Sequence, residues 1–138
     1  MKKILLGLVF LLSATCAGLA QQVETVGVEV LAKTTESWDG NTLPTYATGQ
    51  PEVTILKITI PPKMKLEVHR HPIINAGVLL KGKLTVVTEN EEILHMKAGD
   101  AIVEVVNKWH YGKNESDEPA EILVFYAGIK GEPVTVKK

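Results

Sequence analysis

Cys16 is the only cysteine in the chain, and it falls in a segment that reads as a removable leader. The mature protein then has no thiol. That excludes disulfides, a cysteine nucleophile and thiolate metal ligands, so a metal site here must be built from His, carboxylates, amides and water. An excess of charge is also missing. The formal net charge is −1 at pH 7, which leaves no basic patch for nucleic acid. No stretch keeps a helical period, and the 7 prolines and 11 glycines recur too often for a long helix. Repeats, low-complexity tracts and a linker after residue 22 are absent too. The longest apolar run, Ile4 to Leu12, is too short to span a bilayer.

That run belongs to residues 1–20. Lys2 and Lys3 precede it, and the small-residue stretch Ser13 to Ala20 follows, with a cut expected after Gly18-Leu19-Ala20. This is the layout of a secretory signal peptide, which predicts a periplasmic or secreted protein with no membrane association once the leader is gone. A lipid anchor on Cys16 ranks second, because Thr15 is a poor neighbour for it. Cleavage removes Lys2 and Lys3, lowering the 15 basic residues to 13 against 16 acidic ones and the charge to −3. The remaining length is one domain, enough for a core without staples.

The rest reads as short strands. Val23 to Thr35 alternates, and Trp38-Asp39-Gly40-Asn41 is a turn. Thr42 to Pro51 is loop, and Val53 to Ile60 is a β-branched strand closed by Pro61-Pro62. Further strands are expected at Ala76–Leu80, Leu84–Thr88, Ile93–Met96, Ala101–Val106, Ile122–Tyr126 and Val134–Val136. Strands at this spacing, broken by Gly, Pro and Asn turns, predict an all-β sandwich or barrel. The organisation is a leader over 1–20, an N-terminal strand and loop over 21–50, a barrel over 51–130 and a tail over 131–138.

The chemistry gathers at Glu67-Val68-His69-Arg70-His71-Pro72-Ile73-Ile74-Asn75. In a strand, positions two apart share a face, so His69 and His71 project together. His110, from a distant strand, would complete a set of nitrogen ligands suited to Zn, Fe, Ni, Cu or Mn rather than Ca or Mg. A His-x-His pair alone also fits two half-buried histidines beside a turn.

Two motifs in register separate those readings. His69-x-His71, three residues, Asn75, six residues and Gly82 follow the form G-x5-H-x-H-x3,4-E-x6-G. Gly99, Val105, Asn107, His110 and Asn114 follow G-x5-P-x-G-x2-H-x3-N. On these residues the chain resembles the cupins, small double-stranded β-helix (jelly-roll) barrels. The resemblance implies that fold and a divalent transition metal held by His69, His71 and His110. It departs at Lys63, Val105 and Asn107, all turn positions, where Asn107 can still take a left-handed conformation. The weightier departure is Asn75, which stands where the family has an acidic ligand. An amide offsets none of the cation's charge, so the site would hold metal less tightly and favour an anionic small-molecule ligand. Asn75 could equally be a turn residue bonded to backbone.

Other residues divide the same way. Gly77 and Gly112 are expected to leave open space beside the ligands. Glu67 and Glu104 could supply the missing carboxylate, but a strand glutamate more often faces solvent. His95 reads as a surface residue, Arg70 as pointing away from its flanking histidines, and Trp109, Tyr111 and Tyr126 as core or pocket rim. Cupins include dioxygenases, decarboxylases and isomerases. The lack of an obvious acid–base pair beside the histidines counts against a sugar isomerase. The expected function is a metal-dependent oxidoreductase or lyase on a small oxygen-bearing substrate, or a non-catalytic metal or small-molecule binder. The resemblance also implies a homodimer, with residues 23–35 exchanged between subunits.

Overall fold

Alternating apolar side chains and tight polar turns build two antiparallel sheets that close on one core. The computed structural model describes residues 25–138, so the expected leader and Cys16 lie outside the described residues. Among those described there is no helix, and no membrane-spanning helix. The strands are β1 (Pro51–Ile60), β2 (His69–Arg70), β3 (Ile74–Lys81), β4 (Lys83–Thr88), β5 (Ile93–Lys97), β6 (Ala101–Val103), β7 (His110–Lys113), β8 (Ala120–Ile129) and β9 (Val136–Lys137). One sheet has the order β1-β8-β3-β6 and the other β5-β4-β7-β2-β9. This is the expected all-β, jelly-roll architecture.

The core fills the space between the sheets. Ile60, Leu79, Ile122 and Val124 come from the first sheet and Leu84, Val86 and Met96 from the second. The β1–β8 pair runs ten residues without a slip, from Pro51↔Ile129 to Ile60↔Ala120. Pro51 opens that ladder and Pro61-Pro62 follows its end, the two places where a missing N–H does little harm.

Two turns carry a left-handed residue where the family motif has glycine. Asn107 (φ 56°) does so as expected, and Lys63 (φ 59°) does the same. Both places keep the left-handed backbone that a glycine would take there. Such a conformation costs a β-carbon-bearing residue roughly 1–2 kcal/mol, and less for Asn.

Asn114 is a motif residue with a purely structural job. Its buried Nδ2 donates to the carbonyls of Ile60, Pro61 and Glu118, and its Oδ1 accepts from Ser116 N and Oγ. It ties the end of β1 to the β7–β8 turn. Asn114→Ala strands buried carbonyls, so urea unfolding should show a loss of about 2 kcal/mol.

The segment expected as a first strand is corrected. Among residues 25–35 no strand forms, and Val26 and Val28 are 93% and 86% exposed. Alternation makes a segment able to pair, but a strand also needs an open edge beside it. The segment is tied down around the Trp38–Asn41 turn, where Leu43 N donates to Thr35 O and Glu36 bridges Thr42. Trp38 N donates to Val103 O, and Lys108 Nζ bridges Asp39 and Glu92. Burial raises the pKa of Asp39, but hydrogen bonds from Lys108, Ser37 and Asn41 outweigh that and hold the carboxyl well below its usual range.

Candidate metal centre

The strand carrying His69 does not continue through Pro72. β2 belongs to the five-stranded sheet and β3 to the four-stranded one, so the chain crosses between sheets at His71–Ile73. His69 and Leu79 therefore do not lie on one regular strand. Pro72, which lacks an N–H, sits at the crossing.

The crossing gathers the site. His69 is the cross-strand partner of His110, and such pairs project from one face. His71 bridges to Val106 and turns its ring toward them. The three ring centroids lie 4.6–5.0 Å apart. One nitrogen from each ring falls within 4.8 Å of the other two, a spacing that could hold one metal ion. Among the described residues no carboxylate joins this set.

Which nitrogens converge follows from the hydrogen bonds. His69 Nδ1 meets Glu67 O at 2.7 Å, His71 Nδ1 meets Val134 O at 2.7 Å, and His110 Nδ1 meets Lys108 O at 2.9 Å. A carbonyl can only accept, so each Nδ1 carries the proton. All three Nε2 atoms then present lone pairs to the centre, as ligating imidazoles do. Burial pushes His71 down to about 4, against the opposing pull of its bond to Val134, and burial also lowers His69. Both rings are therefore neutral at pH 7. The donor set, three neutral nitrogens and no thiol, fits a borderline transition ion rather than a hard oxygen-seeking one.

The tail takes part in this. Beyond the Val134 carbonyl, Thr135 Oγ1 lies 3.2 Å from His71 Nδ1, and β9 pairs with β2. Residues 131–138 are part of the wall.

The four-stranded sheet supplies the opposite side of a cavity of about 140 Å³, whose lining includes Leu56, Ile58, Ile102, Val124 and Tyr126. Asn75 also lines it, buried, with Nδ2 donating weakly to Ile73 O at 3.5 Å. Tyr126 stacks edge-on to His71 at 5.4 Å, and burial, then the charge of Glu104, pushes its hydroxyl up to about 12. Of the two glycines, Gly112 lines the cavity as expected. Gly77 does not leave open space: a β-carbon there would lie 2.8 Å from Leu123 O and 3.2 Å from a Val124 methyl. Gly77→Ala must push β8 away, and a thermal melt should show about 1–2 kcal/mol lost.

Glu67 and His95 are exposed, as expected; Glu67 pairs with Lys137. Arg70 turns from the cluster onto Trp109, and Tyr111 meets Lys65. Glu104 is the correction. It is 8% exposed and lines the cavity, with Oε2 4.0 Å from His110 Nε2. Its Oε1 accepts from Trp38 Nε1 at 2.9 Å and Val105 N at 3.0 Å. A sequence signal existed: Ile102, two residues earlier and on the same face, is core.

The comparisons agree with this architecture. A family model described as Cupin domain matches residues 56–126, and the chain belongs to that family. Among solved structures it is similar to a DMSP lyase, DddQ, from Ruegeria pomeroyi DSS-3, at 20% identity and TM-score 0.55, over 62% of this chain and 43% of that one. It is similar to an oxalate oxidase in complex with the substrate analogue glycolate, at 20% identity and TM-score 0.52, over 62% and 45%. A double-stranded β-helix protein from Klebsiella pneumoniae aligns at 19% identity and TM-score 0.52, over 66% and 86%. The chain thus spans less than half of the lyase and the oxidase, and at these identities the likeness concerns the fold. No curated protein matches the chain.

Proposed function

We propose that this cupin is exported and holds one divalent transition ion (Fe, Mn, Zn, Ni or Cu) on the Nε2 atoms of His69, His71 and His110. Asn75 adds a neutral amide beside them, and a small oxygen-bearing substrate occupies the cavity, where the protein acts as an oxidoreductase or lyase. The carrying observation is the set of three Nδ1–carbonyl bonds. They aim three lone pairs at one point, which costs free energy unless a cation uses them. A bound ion would supply Lewis acidity, or an oxygen-activating centre if redox-active. The chain's own part is to orient the ligand against apolar walls and exclude water. Asn75 offsets none of the ion's charge and Glu104 stands outside the nitrogen set, so the cluster still favours an anionic ligand.

The alternative is a non-catalytic binder, which the mostly apolar lining supports. The buried carboxylate of Glu104 beside the cluster weighs for the enzyme. Metal analysis of untagged protein should find about one equivalent, and none in His69→Ala/His71→Ala; equal content in both removes the ligand assignment.

Export rests on residues 1–20, and mass spectrometry of the secreted or periplasmic form should find a chain starting at Gln21. Pairing into a dimer is supported by the exposed Val26, Val28 and Val30 and by exposed Val53, Ile55 and Phe125 on the outer face of β1 and β8. Light scattering that returns a monomer ends that reading.

A further inference from the structure

A second recognition element stands beside the three imidazoles. Glu104 has two oxygens in unlike surroundings. Oε1 is saturated by the Trp38 indole N–H and the Val105 amide. Among the described residues its hydrogen bonds all go to Oε1, which leaves Oε2 facing the cavity. His110 Nε2 lies 4.0 Å from it and is an acceptor in the neutral ring, whose proton sits on Nδ1 against Lys108 O. Two acceptors therefore face one another across a gap too wide for a hydrogen bond. A cation suits the nitrogen side of that gap and a proton donor suits the oxygen side.

The acid at this site also stands elsewhere than the family motif would place it. The motif position for an acid, on β3, is Asn75. Glu104, just after β6 on the neighbouring strand, donates its N–H to Asn75 O at 3.1 Å. The site keeps a negative group, set back from the nitrogen cluster.

We propose that Glu104 Oε2 is the acceptor that selects a small hydroxylic ligand, such as a 2-hydroxy acid, at the three-imidazole cluster, and that Trp38 is the residue that positions it. A cation held by the three imidazoles would take the ligand's carboxylate, and the ligand's hydroxyl would donate a hydrogen bond to Oε2. A ligand that brings only acceptors leaves Oε2 buried and unsatisfied, the penalty that gives hydrogen-bonding sites their strongest discrimination. Trp38 lies outside the residues of the family match. Its turn is fixed by Trp38 N to Val103 O and by Lys108 to Asp39, so the indole reaches Glu104 from a clamped loop.

This inference rests on the metal reading above, and one experiment separates the two. Co(II)-loaded protein is titrated with glycolate and with methoxyacetate, following visible absorption. The two ligands offer similar oxygens for chelation, but only glycolate carries the proton. Wild type should bind glycolate at least roughly tenfold more tightly. In Glu104→Gln the Trp38 and Val105 donors both demand the amide oxygen, so the NH₂ faces the cavity and the preference should vanish or invert. Trp38→Phe keeps the charge but frees the carboxylate, and the preference should narrow while Co(II) stoichiometry stays unchanged. An unaltered ligand ratio in both variants, with Co(II) bound, overturns the role of Glu104 and leaves the metal site standing. Failure of wild type to bind Co(II) overturns the metal reading, and this one with it.

Discussion

His110→Ala loses at least roughly a hundredfold in divalent-ion affinity, since even groups that merely support a ligand are worth 10–100-fold. His110 is 2% exposed and supplies the only one of the three imidazoles that sits on β7. The other two come from β2 and the crossing after it, so among the described residues no other imidazole stands ready to replace it. The check is a competition titration against a chromophoric chelator. A thermal measurement adds a second readout. An ion at a hundred times its Kd stabilises the folded chain by about 2.7 kcal/mol, which for a domain of this size is roughly 10 °C in Tm. Wild type should show that shift on metal addition and His110→Ala should not. A variant that keeps both affinity and shift would show that the cluster is not the binding site.

The second large effect concerns the metal-free protein and acid. His71 is held at about 4 in the folded chain, against an ordinary histidine value near 6.5 when unfolded. Above pH 6.5 neither state is protonated there and His71 contributes no pH dependence. As pH falls from 6.5 toward 4, the unfolded chain takes up a proton that the folded chain refuses, and stability is lost. Below 4 both states are protonated and the loss is complete, at roughly 3 kcal/mol. His69, lowered in the same direction, adds to it. Carboxylates such as Asp39 and Glu92, whose values are depressed, lose their contribution at lower pH. A decline that begins near 6.5 is thus the histidine signature. Urea midpoints of chelator-treated protein from pH 8 to 4 measure it, and His71→Leu should flatten the upper part. A wild-type midpoint constant from pH 6.5 to 5 would contradict the buried neutral ring.

The strands after residue 50 were legible because their information is local. Alternation in Val53–Ile60 and the glycine turn at Lys81–Lys83 depend on near neighbours alone. The three histidines were legible for another reason: two spaced motifs in register fix the same barrel. What the sequence hid depends on distant partners. Glu104 reads as a solvent-facing strand residue until Trp38, 66 positions away, is seen to satisfy its burial. Gly77 reads as a gap, yet β8 closes over it. Val26, Val28 and Val30 have the pattern of a strand, yet none of residues 25–35 pairs with a sheet edge. The crossing at Pro72 was half visible: proline marked an interruption, but not that Asn75 would return from the opposite sheet.

Trp38 has a use that follows from where its ring nitrogen points. The chain has 2 tryptophans, and Trp109 sits apart against Arg70. In a Trp109→Phe background, all indole fluorescence comes from a ring bonded to the carboxylate beside the three imidazoles. A paramagnetic ion such as Cu(II) arriving at that cluster should dim the emission, and a diamagnetic one should shift its colour by changing the field at the indole N–H. The protein carries its own optical gauge of site occupancy, readable without a dye.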